Sequence, residues 1–175
     1  MQPPIHSQQA GPPTANYEPG DEYADNVRMF QGIPSLERSP GGRLWATGYG
    51  GGVTEDKHNY IMVVTSGDDG ETWSAPVYVN MEPAADPGKH LNTTLSGDGR
   101  GNWLVVWSSD DNLYPPPPQN DYNIVASYST DGGEHWSLPQ YVNSYVYDPF
   151  DFQYDRDPAV QCAGPGVWRV VWGTQ

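Results

Sequence analysis

Cysteine is nearly absent from this chain, in which Cys162 is the only one among 175 residues. A single thiol excludes an internal disulfide framework and leaves the redox compartment open. Because Cys162 lies in a strand-like run, we expect it to be a small, buried, hydrophobic side chain. The four histidines show no zinc-ligand spacing. The sequence therefore predicts neither a metal site nor a bound cofactor.

Basic residues are also scarce. Eight lysines and arginines stand against 22 aspartates and glutamates, which gives a net charge of −14 at pH 7. Nucleic acids and anionic membranes both bind cationic surfaces, so this balance argues against either as a partner.

Long apolar runs are missing as well. The sequence contains no run of about 20 apolar residues that could cross a membrane. The first residues, Met1 to Pro4, show neither the charged region nor the apolar region of a secretory signal. These absences leave the compartment unknown, and they are compatible with an extracellular or periplasmic full-length protein.

Helical patterns are missing too, because no window of ten residues has clean helical periodicity. The chain instead has 20 glycines and 18 prolines, which favour many short strands joined by turns. We therefore predict an all-β protein. Residues 1–28 contain Pro-Pro twice and almost no apolar pattern, so we expect them to be a disordered lead.

An octapeptide repeat organises the remainder of the chain. Residues 66–73 (SGDDGETW) recur as residues 129–136 (STDGGEHW), at an offset of 63. Each copy follows a β-patterned run, and each is followed by a matched tail, SAPVYVN at 74–80 and SLPQYVN at 137–143. A constant offset of this size indicates one supersecondary unit that is repeated.

Three further segments share a second pattern, at residues 33–47, 92–107 and 157–172. In each, a short apolar run leads through a glycine-containing turn into a strand, and glycine permits the positive φ that hairpin turns require. Combined with the octapeptide, the repeating unit becomes strand, turn, strand, long loop, strand, turn, strand. The sequence thus predicts four-stranded antiparallel meanders.

The apolar pattern also indicates how these meanders pack. Residues 104–107 (LVVW) are apolar in succession, which is typical of a strand covered on both faces. Stacked meanders cover one another in this way in a β-propeller. We predict a partial propeller over residues 29–175, with blades at about 30–80 and 91–143 and an incomplete blade at 156–175. Such a fragment has open blade faces, through which self-association is expected.

The octapeptide has a physical logic. Its aspartate accepts backbone N–H bonds within the turn, its glycine supplies the positive φ, and its tryptophan is expected to pack beneath as a plug. The pattern resembles the Asp box, or BNR repeat, of the sialidase superfamily, with His135 in place of threonine in the second copy. The resemblance implies a sialidase-type propeller in which these boxes are structural and lie opposite the active site. The matching residues are Ser66, Asp68, Gly70, Trp73, Ser129, Asp131, Gly133 and Trp136.

A second resemblance lies at residues 31–34 (QGIP), where sialidases carry a Phe/Tyr-Arg-Ile-Pro motif. In that family the arginine helps to bind the carboxylate of sialic acid. Gly32 occupies the arginine position here, so the bidentate contact is missing. This departure argues against sialic acid itself as the ligand.

Meander topology places the long polar segments together at one end of the blades, which we call the loop end. It collects residues 31–32, 49–59, 81–91, 110–122 and 144–157. The octapeptide turns lie at the opposite end, the turn end. Propellers build their sites from such loops.

Several loop-end residues are candidates for a sugar site. Counting back from the first octapeptide, Glu55 or Asp56 falls about where sialidases place their acid/base aspartate, and a carboxyl partly desolvated by Tyr49 and Tyr60 can act as a general acid. A solvated acidic loop is the alternative interpretation. Arg156 is placed to bind an anionic sugar group, although an ion pair with Asp155 or Asp157 is an equal alternative. The predicted substrate-binding residues are Tyr49, His58, Tyr122 and Arg156.

The resemblance implies a sialidase-like, exo-glycosidase type of propeller that acts on or binds terminal sugars of glycans. Sialidases take their tyrosine nucleophile and its assisting glutamate from later blades, so the catalytic set is incomplete in this chain. The alternative is a non-catalytic BNR-repeat module that binds carbohydrate or protein. A lyase on the same scaffold is a third possibility, because fold does not fix function.

Overall fold

The computed structural model describes residues 31–51, 54, 59–80, 88–110, 122–143 and 154–174. Within these ranges every regular element is a β-strand, and no helix is long and apolar enough to cross a membrane. The predicted all-β class is therefore confirmed. The predicted disordered lead, residues 1–28, lies outside the described residues.

In the part of the chain that the structure describes, ten strands form three antiparallel sheets, each in chain order. The strands of blade one are β1 (Gln31–Arg38), β2 (Leu44–Gly51), β3 (Asn59–Ser66) and β4 (Val77–Tyr78). Those of blade two are β5 (His90–Gly97), β6 (Trp103–Ser109), β7 (Asn123–Ser129) and β8 (Gln140–Tyr141). Blade three consists of β9 (Asp155–Gly164) and β10 (Val167–Thr174). The first strands are neighbours, since β5 contacts both β1 and β9, as expected for blades that fan out from an axis.

The core lies between blades one and two. The ring of Trp45 on β2 stacks on that of Trp103 on β6, with centroids 4.0 Å apart and planes 28° apart. A buried hydrogen bond of 3.2 Å joins the hydroxyls of Thr47 and Thr93 across the same interface. Burial along β6 is nearly continuous, because blade one covers one of its faces and blade three the other.

The first strand of every blade carries an irregularity near the loop end. The register of β1 with β2 shifts between Gly32 and Ser35, and that of β5 with β6 shifts between Leu91 and Thr94. The β9–β10 register shifts correspondingly after Arg156. Asn92 and Asp157 have positive φ, of 53° and 54°. Gly32, Leu91 and Arg156 thus hold equivalent positions, each just before the bulge of its strand.

The two octapeptide tryptophans differ in their environments. Trp136 packs against the core, and the neighbouring Gly133 sits so close to Trp45 that a Cβ there would lie 2.5 Å from its ring. Trp73 remains 39% exposed, so the expectation that it plugs the sheet is wrong. The second octapeptide turn packs on Trp45 of the preceding blade. No described blade precedes the first octapeptide turn, so no described blade covers Trp73.

Blades one and three each present an uncovered face. On blade one, Leu36 pairs with Ala46 and Val64 in a row that points away from Trp45 and hence away from blade two. Leu36 is 63% exposed. On blade three, Val171 lies on the side opposite Trp168 and is 66% exposed. Trp168 itself donates from Nε1 to the Ser96 carbonyl of blade two.

Candidate functional site at the loop end

Blades two and three meet at the loop end through two tyrosines. Tyr122, just before β7, forms an isolated parallel bridge with Tyr154, just before β9, and the Asp155 amide donates to the Tyr122 carbonyl at 2.9 Å. The two rings have centroids 6.0 Å apart and are inclined by 40°. This junction fixes the start of β9, which carries Arg156.

The guanidinium of Arg156 lies over both rings. Its Cζ is 4.4 Å from the Tyr122 centroid and 5.1 Å from the Tyr154 centroid, which are cation–π distances. Tyr122 is buried beneath this cation, so it supports Arg156 and does not offer its face to a sugar. Tyr122, predicted as a substrate-binding residue, thus contacts Arg156 in this structure.

The acidic neighbours of Arg156 are bonded elsewhere. The Asp155 carboxylate accepts from the Asn143 amide at 2.8 Å and from the Thr174 hydroxyl at 2.7 Å. The Asp157 carboxylate accepts from the Asn92 amide. Within the described ranges Arg156 forms no ion pair, and its Nε is buried without a hydrogen-bond partner. The predicted alternative, an ion pair with Asp155 or Asp157, is therefore wrong.

An asparagine at the end of each octapeptide tail forms hydrogen bonds at the loop end. Asn80 Oδ1 accepts from the Ile61 amide at 2.8 Å, and Asn143 Oδ1 accepts from the Ile124 amide at 3.2 Å. Asn143 also donates from Nδ2 to Asn123 Oδ1 and to Asp155 Oδ2. Sequence reasoning assigned no role to Asn80, Asn143 or Tyr154, although the repeated Tyr-Val-Asn at 78–80 and 141–143 carried the signal for the two asparagines.

Tyr49 is fully buried and lies against Gly32. A Cβ at position 32 would lie 2.5 Å from both Cζ and Oη of Tyr49. The tyrosine ring thus fills the space that a side chain at position 32 would need. The structure gives Tyr49 a packing position and not the predicted direct contact with a sugar.

The two candidates for the acid/base residue, Glu55 and Asp56, lie outside the described residues, as does His58. The strand that follows them begins at Asn59, which is fully buried with neither its Oδ1 nor its Nδ2 hydrogen-bonded to any described group. Tyr60 lies on the other face of the sheet, where its ring meets Tyr78 edge to face at 5.0 Å. Burial, and secondarily the charge of Tyr78, raises the pKa of Tyr60. Tyr49 and Tyr60 therefore lie on opposite faces of the blade-one sheet.

At the opposite end, the octapeptide turns have the predicted hydrogen bonds. Asp68 accepts from the Thr72 amide at 2.9 Å and from its hydroxyl at 2.5 Å. In the second turn His135 replaces threonine, and its Nδ1 lies 2.7 Å from Asp131 Oδ2. Side-chain and backbone hydrogen bonds from Thr72 lower the pKa of Asp68 to about 2, and those from His135 lower the pKa of Asp131. Both carboxylates are thus committed to their own turns.

The turn end also contains a groove of about 820 Å³ between blades one and two. Its walls include Arg43, Trp45, Gly101 and Gly133. Near it, the carboxylates of Asp131 and Glu134 and a His135 nitrogen lie within 4.8 Å of one another. All three residues are exposed, and Asp131 is already bonded within its turn, so the arrangement gives no reason to assign a metal.

The comparisons with known proteins agree with this architecture. A sialidase of Bacteroides fragilis is 34% identical over 88 residues, which cover 48% of this chain and 15% of that protein. The Hadza microbial sialidase Hz136 superposes with a TM-score of 0.56 at 18% identity, over 75% of this chain and 30% of the other. An α-L-arabinanase of Penicillium chrysogenum, complexed with arabinobiose, gives a TM-score of 0.56 at 18% identity, over 81% and 40%.

The chain spans less than half the length of each of these proteins. No protein-family model matches it. The chain resembles a sialidase in sequence, and it resembles sialidases and an arabinanase in fold. The three antiparallel sheets of the structure agree with both likenesses. The described strands have the fold of part of a sialidase-type β-propeller.

Proposed function

We propose that this chain is part of a propeller that acts on or binds the terminal sugars of glycans at its loop end. The observation that carries the proposal is the Arg156 guanidinium, which lies over Tyr122 and Tyr154 and forms no ion pair with a described carboxylate. A donor-rich group held on aromatic rings is suited to the hydroxyl and acidic groups of a sugar. The arabinobiose complex of the arabinanase supports a sugar-binding role for this fold.

A second feature supports a site on blade one. The buried, unpartnered amide of Asn59 directly follows the segment that contains Glu55 and Asp56. A buried amide without partners is unusual, and such groups are often found where a ligand or a catalytic group completes the hydrogen bonds.

In the catalytic version of the proposal, Glu55 or Asp56 donates a proton to the leaving glycosidic oxygen. The nucleophile and its assisting glutamate would come from blades that follow this chain, as they do in the family it resembles. The described residues hold and orient the sugar in that scheme.

The non-catalytic alternative keeps the same binding surface and omits the proton transfer. A panel of aryl glycosides distinguishes the two, with release of the aryl group as the measure of turnover. In a form of the protein that supplies the nucleophile, we expect turnover that falls at least 100-fold in Glu55→Gln or Asp56→Asn. Sugar binding without turnover in any form would support the non-catalytic module.

If both variants turned over the glycosides as fast as the native protein, the assignment of Glu55 or Asp56 as the general acid would be contradicted. A matched control is Glu71→Gln, which changes an exposed carboxyl in the first octapeptide turn and should leave turnover unchanged.

A further inference from the structure

We propose that two copies of this chain join head to tail into one closed ring, in which blade three of each copy packs on blade one of the other. The inference goes beyond the proposed function and does not depend on it. The described strands of one copy form three blades, so two copies supply twice that number, which lies within the range of about four to eight blades found in closed propellers. A face that binds a different face of a second copy generates a ring when the rotation closes.

The first argument is a hydrogen bond that recurs at both interfaces between blades. In each case a side-chain oxygen on the first strand of one blade accepts from a backbone amide on the first strand of the next blade. Glu37 of blade one accepts from the Gly97 amide at 3.1 Å, and Ser96 of blade two accepts from the Cys162 amide at 3.0 Å. The two acceptors hold equivalent positions in their strands, and so do the two donors.

The outward faces of blades one and three carry the same two positions. Gln161 on β9 occupies the acceptor position and is exposed, whereas Arg38 on β1 occupies the donor position. The next residue, Ser39, donates its amide to the Arg43 carbonyl of the partner strand, and successive amides of an antiparallel strand point in opposite directions. The Arg38 amide is therefore directed away from β2. It is placed to donate to Gln161 of a second copy.

The second argument is a pair of positions that is buried at both interfaces. Between blades one and two, the hydroxyls of Thr47 on β2 and Thr93 on β5 lie 3.2 Å apart, and both residues are buried. Between blades two and three, the equivalent residues are Val106 on β6 and Pro158 on β9. Both of these residues are also buried.

At the outward faces the equivalent pair is Val171 on β10 and Pro34 on β1, and both residues are exposed. Contact between two copies would bury this apolar pair, together with Leu36 beside it, as the pair is buried inside one copy. Arg169 holds the position that Trp45 holds in blade one. The contact between copies is therefore less apolar than that between blades one and two, and we expect it to be reversible.

The ring would build the loop end from both copies. Gly32, Leu91 and Arg156 follow one another from blade to blade, and Arg156 of one copy would be followed by Gly32 of the second copy. A further blade in a longer form of the protein would cover the same face of blade three. The inference therefore concerns the 175-residue chain.

Sedimentation equilibrium of the full chain measures the size of the assembly. We expect the mass to rise with concentration and to level at twice the 19.3 kDa of one chain. A mass that continues to rise would show an open array, and a mass that stays at that of one chain would show that the faces do not pair. Either result would overturn the ring.

The inferred hydrogen bond is tested at Gln161, which is exposed and can be changed without disturbing the core. Gln161→Ala should weaken association about fivefold or more, because each contact between copies loses an acceptor. Gln161→Glu keeps an acceptor, as Glu37 does at the first interface, and should retain association. Association that is unchanged in Gln161→Ala would overturn the assigned contact.

Disulfide cross-linking shows which faces meet. Pro34→Cys and Val171→Cys are each made in a Cys162→Ser background, which removes the native thiol. A mixture of the two variants should cross-link about tenfold faster or more than either variant alone, because only the mixture brings positions 34 and 171 together. A mixture of Pro34→Cys with Leu138→Cys is the matched control, since Leu138 is exposed outside both faces. Cross-linking of either variant alone as fast as in the first mixture would mean that like faces meet, which overturns the head-to-tail contact.

Discussion

The ring of Tyr49 occupies the space next to Gly32, where a Cβ would approach Tyr49 Cζ and Oη to 2.5 Å. The two residues are cross-strand partners, so a larger side chain at either position must be matched by a smaller one at the other.

This relationship predicts a coupled pair of substitutions. Gly32→Ala should lower the free energy of unfolding by about 1–3 kcal/mol, because the added methyl overlaps the buried ring. In a Tyr49→Ala background the same change should cost less than about 0.5 kcal/mol. Urea unfolding of the four proteins measures the coupling, and additive effects would show that the two side chains do not compete.

The tryptophans predict a contrast in stability. Trp45→Ala should cost about 3–5 kcal/mol, since it removes a buried ring that stacks on Trp103 at 4.0 Å. Trp73→Ala should cost about 1 kcal/mol, because that ring is 39% exposed. Chemical unfolding of both variants measures the two losses in the free energy of unfolding. Comparable losses would mean that Trp73 is covered in solution.

The octapeptide turns predict a loss of stability in acid. The pKa of Asp68 is about 2 in the folded chain, below its ordinary value of 3.8, because Thr72 and Ser66 donate to its carboxylate. A lowered pKa means that this contribution is complete above pH 4 and is lost as the pH falls toward 2. The urea midpoint should fall over that range in the native chain and less steeply in Asp68→Asn. A carboxyl carbon titration with a midpoint near 4 would contradict the account.

The uncovered faces predict self-association. Leu36 on blade one and Val171 on blade three are exposed on the uncovered faces of their sheets, and we expect these faces to pair between copies of the chain. Val171→Lys should weaken association about tenfold or more in sedimentation velocity. Leu138→Lys changes an 80% exposed residue outside these faces and should have no effect. A native chain that stays monomeric at high concentration would contradict the prediction.

Much of the fold could be predicted from the sequence, because its signals are local. Glycine and aspartate mark the turns, the constant offset between the octapeptides marks the unit, and residues 104–107 mark a strand covered on both faces. The exposure of Trp73 could not be predicted, since it depends on whether another blade lies beside that turn.

The candidate site was less predictable because it depends on contacts between blades. The sequence indicated Arg156, but the hydrogen bonds to Asp155 and Asp157 include those from Asn143 and Asn92 in blade two. No local pattern reveals such partners. The packing of Tyr49 on Gly32 also depends on the register of β1 with β2. The glycine in residues 31–34 does not by itself predict that register.

The most direct test of the account is a map of where a sugar binds. Backbone amide shifts of the isotope-labelled chain can be followed during titration with glucuronate, glucose and arabinobiose. The account predicts changes at the loop end, at Tyr49, Tyr122, Tyr154 and Arg156. Changes confined to the groove at the turn end, around Arg43, Gly101 and Gly133, would contradict it, as would the absence of any change.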